Sequence, residues 1–265
     1  MLLWSRLVLV MRFVAIGWAA VVGVWSGLVY YELIDPKPSL EPWGWIASIV
    51  LIGVENAGTL IVRRFRSRST DQNARIESTL KTALLQVTQS REVTYQDLGA
   101  SVFVPTLWSR VRRHSGAQVR LKRISRFRPA GYPQQSGVSW TGAKGVIGTA
   151  LRSKTHSYTD FSPIIRRYGV DPIPLPVFNS LPGRFKLGLD LDEFNSAIGK
   201  YSEIVAIPIW QDGKDRGLIG VLSIDRAYEA DESENRVLNR RATRETAATA
   251  AASIGSILKP KVTEA

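Results

Sequence analysis

Residues 203–225 read EIVAIPIWQDGKDRGLIGVLSID, and the fold class follows from how that stretch is read. Ile204–Trp210 and Leu218–Asp225 are apolar runs rich in branched side chains, and the polar turn between them contains Asp212-Gly213. Two such runs joined by an Asp-Gly turn predict a β-hairpin of buried strands. Downstream, Asp231-Glu-Ser-Glu234 supplies a helix-capping signal, and an alanine-rich helix is expected to run to about Leu258.

Working upstream, residues 161–200 carry Pro163, Pro172, Pro174, Pro176 and Pro182 and predict an irregular arm: a lid, an insertion or a partner-binding segment. His156–Asp160 reads as a short strand. Gly142-Ala-Lys-Gly145-Val-Ile-Gly148 is a glycine-rich turn entering a short helix, whose amides can receive an anion. Its spacing is GxxGxxG, so neither the dinucleotide nor the P-loop fingerprint is met. Ala100–Pro105 and Gln118–Arg128 (QVRLKRISRFR) read as strands. Strict alternation puts Val119, Leu121 and Phe127 on one face and Arg120, Lys122, Arg126 and Arg128 on the other, with Ile124 as an exception, and turns Arg123 and Ser125 inward. An inward arginine calls for an anionic partner, from a ligand or from an internal ion pair. Ahead of the strands, Ile76, Leu80, Ala83, Leu84 and Val87 share one face of a connector helix over Gln72–Ser90.

The first sixty residues have a different character. Phe13–Tyr31 contains no charge over 19 residues, and Trp43–Val62 holds 20 residues broken only by Glu55 and Asn56. Each is close to the ~20 apolar residues that span a bilayer. Arg6 and Arg12 precede the first stretch, and Arg63, Arg64, Arg66 and Arg68 follow the second. The expectation is a two-helix transmembrane hairpin (spans about 13–31 and 43–62) in the cell membrane, with both termini cytoplasmic. The four arginines would meet anionic lipid headgroups. Gly23 and Gly27 have GxxxG spacing and, with Glu55 and Asn56, are the membrane-association candidates, so a homo-oligomer is expected.

Composition removes several function classes. The chain has 265 residues and no cysteine, which excludes a disulfide framework, a Cys-ligated metal and a covalently attached bilin. His114 and His156 are the only histidines. The net charge of +12 is concentrated in residues 63–128, which hold 15 basic and 4 acidic side chains. Part of that excess is the juxtamembrane arginine cluster, and no nucleic-acid-binding module accompanies it, so lipid rather than nucleic acid is the expected partner.

The order of helix, strands, GVIGTALRSK, HSYTD, EIVAIPIWQDGKDRGLIGVLSID and final helix resembles a GAF domain. The likeness runs from about Asp71 to Leu258, and its motifs lie between Gly145 and Asp225. It implies an α+β fold, an antiparallel sheet with helices on both faces, following the membrane hairpin. The domains expected are 1–66 for the hairpin, 67–91 for the connector, 92–258 for the GAF-like part and 259–265 for a tail. It also implies sensing of a small molecule or a protein partner, with Arg123, Trp140, Tyr158, Asp160 and Ser202 as pocket candidates. The NKxxFxxxDE signature of cyclic-nucleotide-binding members is absent. No HExxH, GxSxG or cysteine nucleophile occurs, and the chain reads as no enzyme. Asp190, Asp192 and Glu193 could bind a cation but read first as an exposed acidic turn or a helix start. The expected function is a membrane-anchored sensor; the rival is a membrane effector whose hairpin oligomerises and perturbs the bilayer.

Overall fold

The computed structural model describes residues 2–32, 46, 50, 69–89, 93–106, 119–211, 217–228 and 236–259. The chain divides into two compact units, Met1–Asp71 and Gln72–Ala265. In the first unit, α1 (Leu2–Tyr30) is a helix of 29 residues. Among the described residues no helix is long and apolar enough to cross a membrane. The two-span hairpin therefore gains no support from the structure. Glu55, Asn56, Arg63, Arg64, Arg66 and Arg68, and all of 43–62 except Ile46 and Val50, lie outside the described residues.

The second unit is built on a five-stranded antiparallel sheet in the order β2-β1-β5-β4-β3. Its strands are β1 (Leu98–Pro105), β2 (Leu121–Phe127), β3 (Ser157–Asp160), β4 (Tyr201–Trp210) and β5 (Leu218–Ala227). The hairpin expected from 203–225 is the β4–β5 pair, with Val205 opposite Ile224 and Ile207 opposite Leu222; its turn, 212–216, lies outside the described residues. Alternation along these strands sends Val205, Ile207, Ile209, Leu222 and Ile224 to one face, and Ala206 and Val221 to the other.

The first face is covered by α2 (69–88) and α8 (Arg241–Leu258). Ile76, Leu80, Ala83, Leu84 and Val87 of α2 are all buried there with Ala247, Ala250, Ala251 and Ile254 of α8. The connector helix is thus an integral layer of the domain rather than a free rod. The final helix begins at Arg241, after a 3-10 turn at Val237–Asn239 and without a side-chain cap. This corrects the start expected near Asp231; residues 231–235 themselves lie outside the described set. Gly255 lets α8 approach β4, because a Cβ there would lie 2.3 Å from the Trp210 carbonyl oxygen. Gly255→Val is expected to destabilise the chain by about 1–3 kcal/mol through overpacking, read as a lower thermal midpoint, whereas an unchanged midpoint would refute this contact.

The second face carries α3 (Gly145–Ser153) and the arm 161–200. The arm is not irregular. It folds as four short helices, α4 (Ser162–Tyr168), α5 (Leu175–Ser180), α6 (Gly183–Lys186) and α7 (Leu191–Ala197). Its prolines start helices rather than prevent them: Pro163 and Pro176 occupy first-turn positions, and Pro174 and Pro182 are N-caps. These helices bury Phe161, Ile164, Ile165, Phe178, Phe194 and Ile198 in a core of their own. The acidic trio is a helix start: Asp190 and Glu193 form a reciprocal capping box on α7.

Candidate functional site

The register of β2 builds the site. Ser125 pairs with Val102, while Arg123 pairs with the next residue, Phe103, so Ile124 is the extra residue of a β-bulge. The bulge reverses the side-chain alternation partway along the strand. Leu121 stays on the second face, but Ile124 and Phe127 pack into the first-face core. This corrects the grouping of Phe127 with Leu121 and gives the physical reason for the Ile124 exception. The same reversal brings both Arg123 and Arg126 to the lining of one cavity on the second face.

That cavity has a volume of about 40 Å³. Phe103 forms its floor, with the Arg123 guanidinium 5.1 Å above the ring and the Trp140 indole edge-on at 5.6 Å. Trp140 is held beside β2 by a hydrogen bond from the Leu121 N–H to its carbonyl at 3.0 Å. Gly145, at φ +67°, makes room for the indole, since a Cβ would lie 2.7 Å from Trp140 Cζ3. The arm supplies the roof through Leu187, Leu189 and Ala197. It is fastened by the Gly145 N–H donating to the Leu187 carbonyl at 2.7 Å and by Lys144 Nζ donating to Glu193 Oε1 at 2.6 Å. The glycine-rich turn therefore uses the Gly145 amide to hold the arm.

Charge in the cavity is unevenly satisfied. Asp225 lines it but is ion-paired with Arg128, a buried guanidinium whose Nη1 also donates to the Asp97 carbonyl at 3.1 Å. Burial pulls the Arg128 pKa down to about 10. Arg126 donates to the Pro133 carbonyl. Arg123 differs: its Nε and Nη1 are buried with no hydrogen-bond partner among the described residues, and so is Trp140 Nε1. Burial, with Arg126 nearby adding to it, lowers the Arg123 pKa, and the Tyr201 phenol opposes that shift. Ser101 and Ser223 add hydroxyls to the same lining.

Arg123 and Trp140 are thus brought together in the cavity, while Tyr158, Asp160 and Ser202 stand elsewhere. Tyr158 donates to Glu203 Oε2 at 2.9 Å and packs against the first-face core. Burial, then the Glu203 charge, pushes its pKa well above the ordinary phenol value. Asp160 Oδ1 accepts from the Ser162 N–H at 2.9 Å, and its Oδ2 lies 3.5 Å from Arg236. Ser202 is fully buried and donates to the Ala227 carbonyl at 3.2 Å. Arg126 and Arg128, expected on the outward face of β2, are instead a lining residue of the cavity and a buried partner of Asp225, because the bulge shifts the alternation. Phe103, Ser101 and Ser223 complete the lining. The two serines carried a signal, since each alternates with apolar neighbours that face the opposite core. A second concavity of about 440 Å³ lies between β4 and α8, where Arg244 Nη1 meets His156 Nε2 at 3.0 Å. His114, Arg110, Arg112 and Arg113 lie outside the described residues. Among the described residues no group of His, Asp and Glu is arranged to hold a metal ion.

An antiparallel five-stranded sheet, covered by the terminal helices on one face and by α3 with the arm on the other, makes this unit GAF-like. Solved structures with a similar fold include the GAF domain of a phosphoenolpyruvate-protein phosphotransferase from Acinetobacter. It matches 75% of this chain and 92% of its own, at 16% identity and a TM-score of 0.37. A type II free methionine-R-sulfoxide reductase from Thermoplasma acidophilum matches 70% of this chain and 94% of its own, at 11% identity and a TM-score of 0.37. The fRMsr of Staphylococcus aureus matches 72% and 95%, at 15% identity and a TM-score of 0.35. No protein-family model and no curated protein matches the chain. The expectation that the chain is no enzyme is corrected here: a reductase stands among proteins of GAF-like fold, so the fold does not exclude catalysis. Identities of this order bear on the fold and assign no activity to this chain.

Proposed function

We propose that this chain is a membrane-attached sensory protein whose GAF-like unit binds a small molecule in the cavity floored by Phe103. The observation that carries the reading is the pair of buried donor groups, on Arg123 and Trp140, that have no acceptor among the described residues beside that cavity. Buried donors of this kind cost stability unless something pairs with them, and a bound molecule supplies the pairing. The ligand is held under the arm, so occupancy and arm order are coupled. Membrane attachment rests on the uncharged stretch Phe13–Tyr31 and on exposed apolar side chains of α1, Phe13 at 69% and Ile16 at 64%. In the cell the protein is then an oligomeric, multi-pass membrane protein with the GAF-like unit in the cytoplasm and Arg63, Arg64, Arg66 and Arg68 at the lipid headgroups.

The test is native mass spectrometry of the full chain, purified in detergent from carbonate-washed membranes. Retention in the washed membranes, together with a small-molecule mass released on activation, is the expected result. Ala197→Phe, which fills the cavity from its roof, is expected to lose that mass. A chain found wholly in the carbonate supernatant overturns membrane attachment, and a chain with no bound mass overturns the binding reading. The rival reading, a membrane effector, is favoured by Gly23 and Gly27, where a Cβ would meet nothing within 4 Å and close helix approach is open. Dye release from vesicles that wild type causes and Glu55→Leu does not would favour it.

A further inference from the structure

Resting on the reading that the cavity under the arm is a binding site, we infer that its ligand presents a small oxyanion, a carboxylate or a phosphate, to Arg123 and Trp140. Three observations converge on that chemistry. The first is the donor inventory. Arg123 Nε and Nη1 and Trp140 Nε1 are buried and have no acceptor among the described residues. A guanidinium and an indole N–H donate only, so what completes them is an acceptor. The second is the charge balance of the lining. Asp225 is neutralised by its pairing with Arg128, and Arg126 is cationic with one of its hydrogen bonds spent on the Pro133 carbonyl. The surplus facing the cavity is positive, and a desolvated cation is stabilised most by an anion in contact with it.

The third observation is size. A cavity of about 40 Å³ admits roughly three water-sized groups, the scale of a carboxylate or phosphate. Haem, a bilin or a whole nucleotide does not fit beneath Leu187 and Leu189 as the arm stands. A larger molecule bearing the oxyanion places only that group here and displaces the arm with the rest. Phe103 beneath Arg123 keeps water from the guanidinium on its other side, so anion binding is not diluted by solvent on that face.

The experiment is thermal melting of the full chain in detergent, in sodium phosphate, sodium acetate and sodium chloride at equal ionic strength. At ten times Kd, ligand linkage predicts a rise of about 3–6 °C over chloride for the anion that binds. A response to phosphate alone assigns a phosphate group, a response to acetate alone assigns a carboxylate, and either supports the inference. Arg123→Gln is expected to abolish the rise, Arg123→Lys to restore part of it and Trp140→Phe to reduce it. Arg244→Gln, on the far face of the sheet, is expected to keep it and so controls for non-specific salt effects. Should Arg123→Gln fail to fold, Trp140→Phe against wild type carries the comparison. The inference is overturned if neither anion raises the midpoint above chloride, or if the rise persists undiminished in the cavity variants. Failure of the inference is distinct from failure of the reading beneath it. A neutral molecule found by native mass spectrometry, with no anion response, overturns only the oxyanion; no bound mass and no response overturns both.

Discussion

Glu203→Ala is expected to remove about 3–5 kcal/mol of stability, the range for breaking a buried charge pair by deleting one partner. Glu203 is 2% exposed, and its carboxylate accepts from the Tyr158 hydroxyl, the Val237 and Leu238 N–H groups and Arg226. Alanine leaves these donors without that acceptor, and the 3-10 turn that leads into α8 loses its anchor. Hydrogen exchange should rise first at 237–243, and a loss below about 1 kcal/mol by urea melting would contradict the account. Glu203→Gln keeps an acceptor and is expected to cost less.

The pH dependence of that pair of variants has a definite sign. Burial raises the Glu203 pKa above its ordinary value, with hydrogen bonds from Tyr158 and Leu238 opposing the shift. The folded state therefore holds the carboxyl proton more tightly than the unfolded chain does. This group's contribution is fully present below the unfolded pKa and is lost as pH rises through the elevated folded value. The stability of wild type relative to Glu203→Gln should accordingly improve on acidification through that window.

Phe194→Ala carries the second large effect, about 3–5 kcal/mol for a buried aromatic truncated to alanine. Phe194 is 1% exposed and meets Phe178 edge-on at 5.5 Å in the core of the arm. Because this cluster is separate from the two that line the sheet, the loss should be local. Hydrogen exchange is expected to accelerate across 161–200 while β1, β4 and β5 keep their protection. The cavity would lose its roof with the arm, so any anion response should weaken in parallel. Uniform acceleration through the sheet would show instead that arm and sheet form one cooperative unit.

How far the sequence could be read varies along the chain. The β4–β5 hairpin is legible because two continuous branched apolar runs flank an Asp-Gly turn, and the apolar face of α2 because it keeps a period of about 3.6, signals that are local in the chain. The short helices of the arm are not, because a high density of proline is equally the mark of irregular chain. A proline breaks a helix only from its interior, and here Pro163, Pro174, Pro176 and Pro182 stand where helices begin. The site was half legible. Arg123 stands out as a charge on an inward register, whereas Tyr158 and Asp160 follow only from the family resemblance, and they point to the other face of the sheet.

The amino-acid sequence by itself determined the order of the strands, the buried hairpin and the absence of any thiol chemistry, since these depend on local pattern and composition. What only the tertiary structure decided is where charge meets cavity. The bulge at Ile124 arises from the pairing of β2 with β1, and it sets Arg123 and Arg126 on one face while sending Phe127 to the other. A one-residue change of register turns every later side chain over, and no property of QVRLKRISRFR alone fixes where that change falls. The roof over Arg123 comes from Leu187, Leu189 and Ala197, more than sixty residues away in the chain and joined to it only by folding.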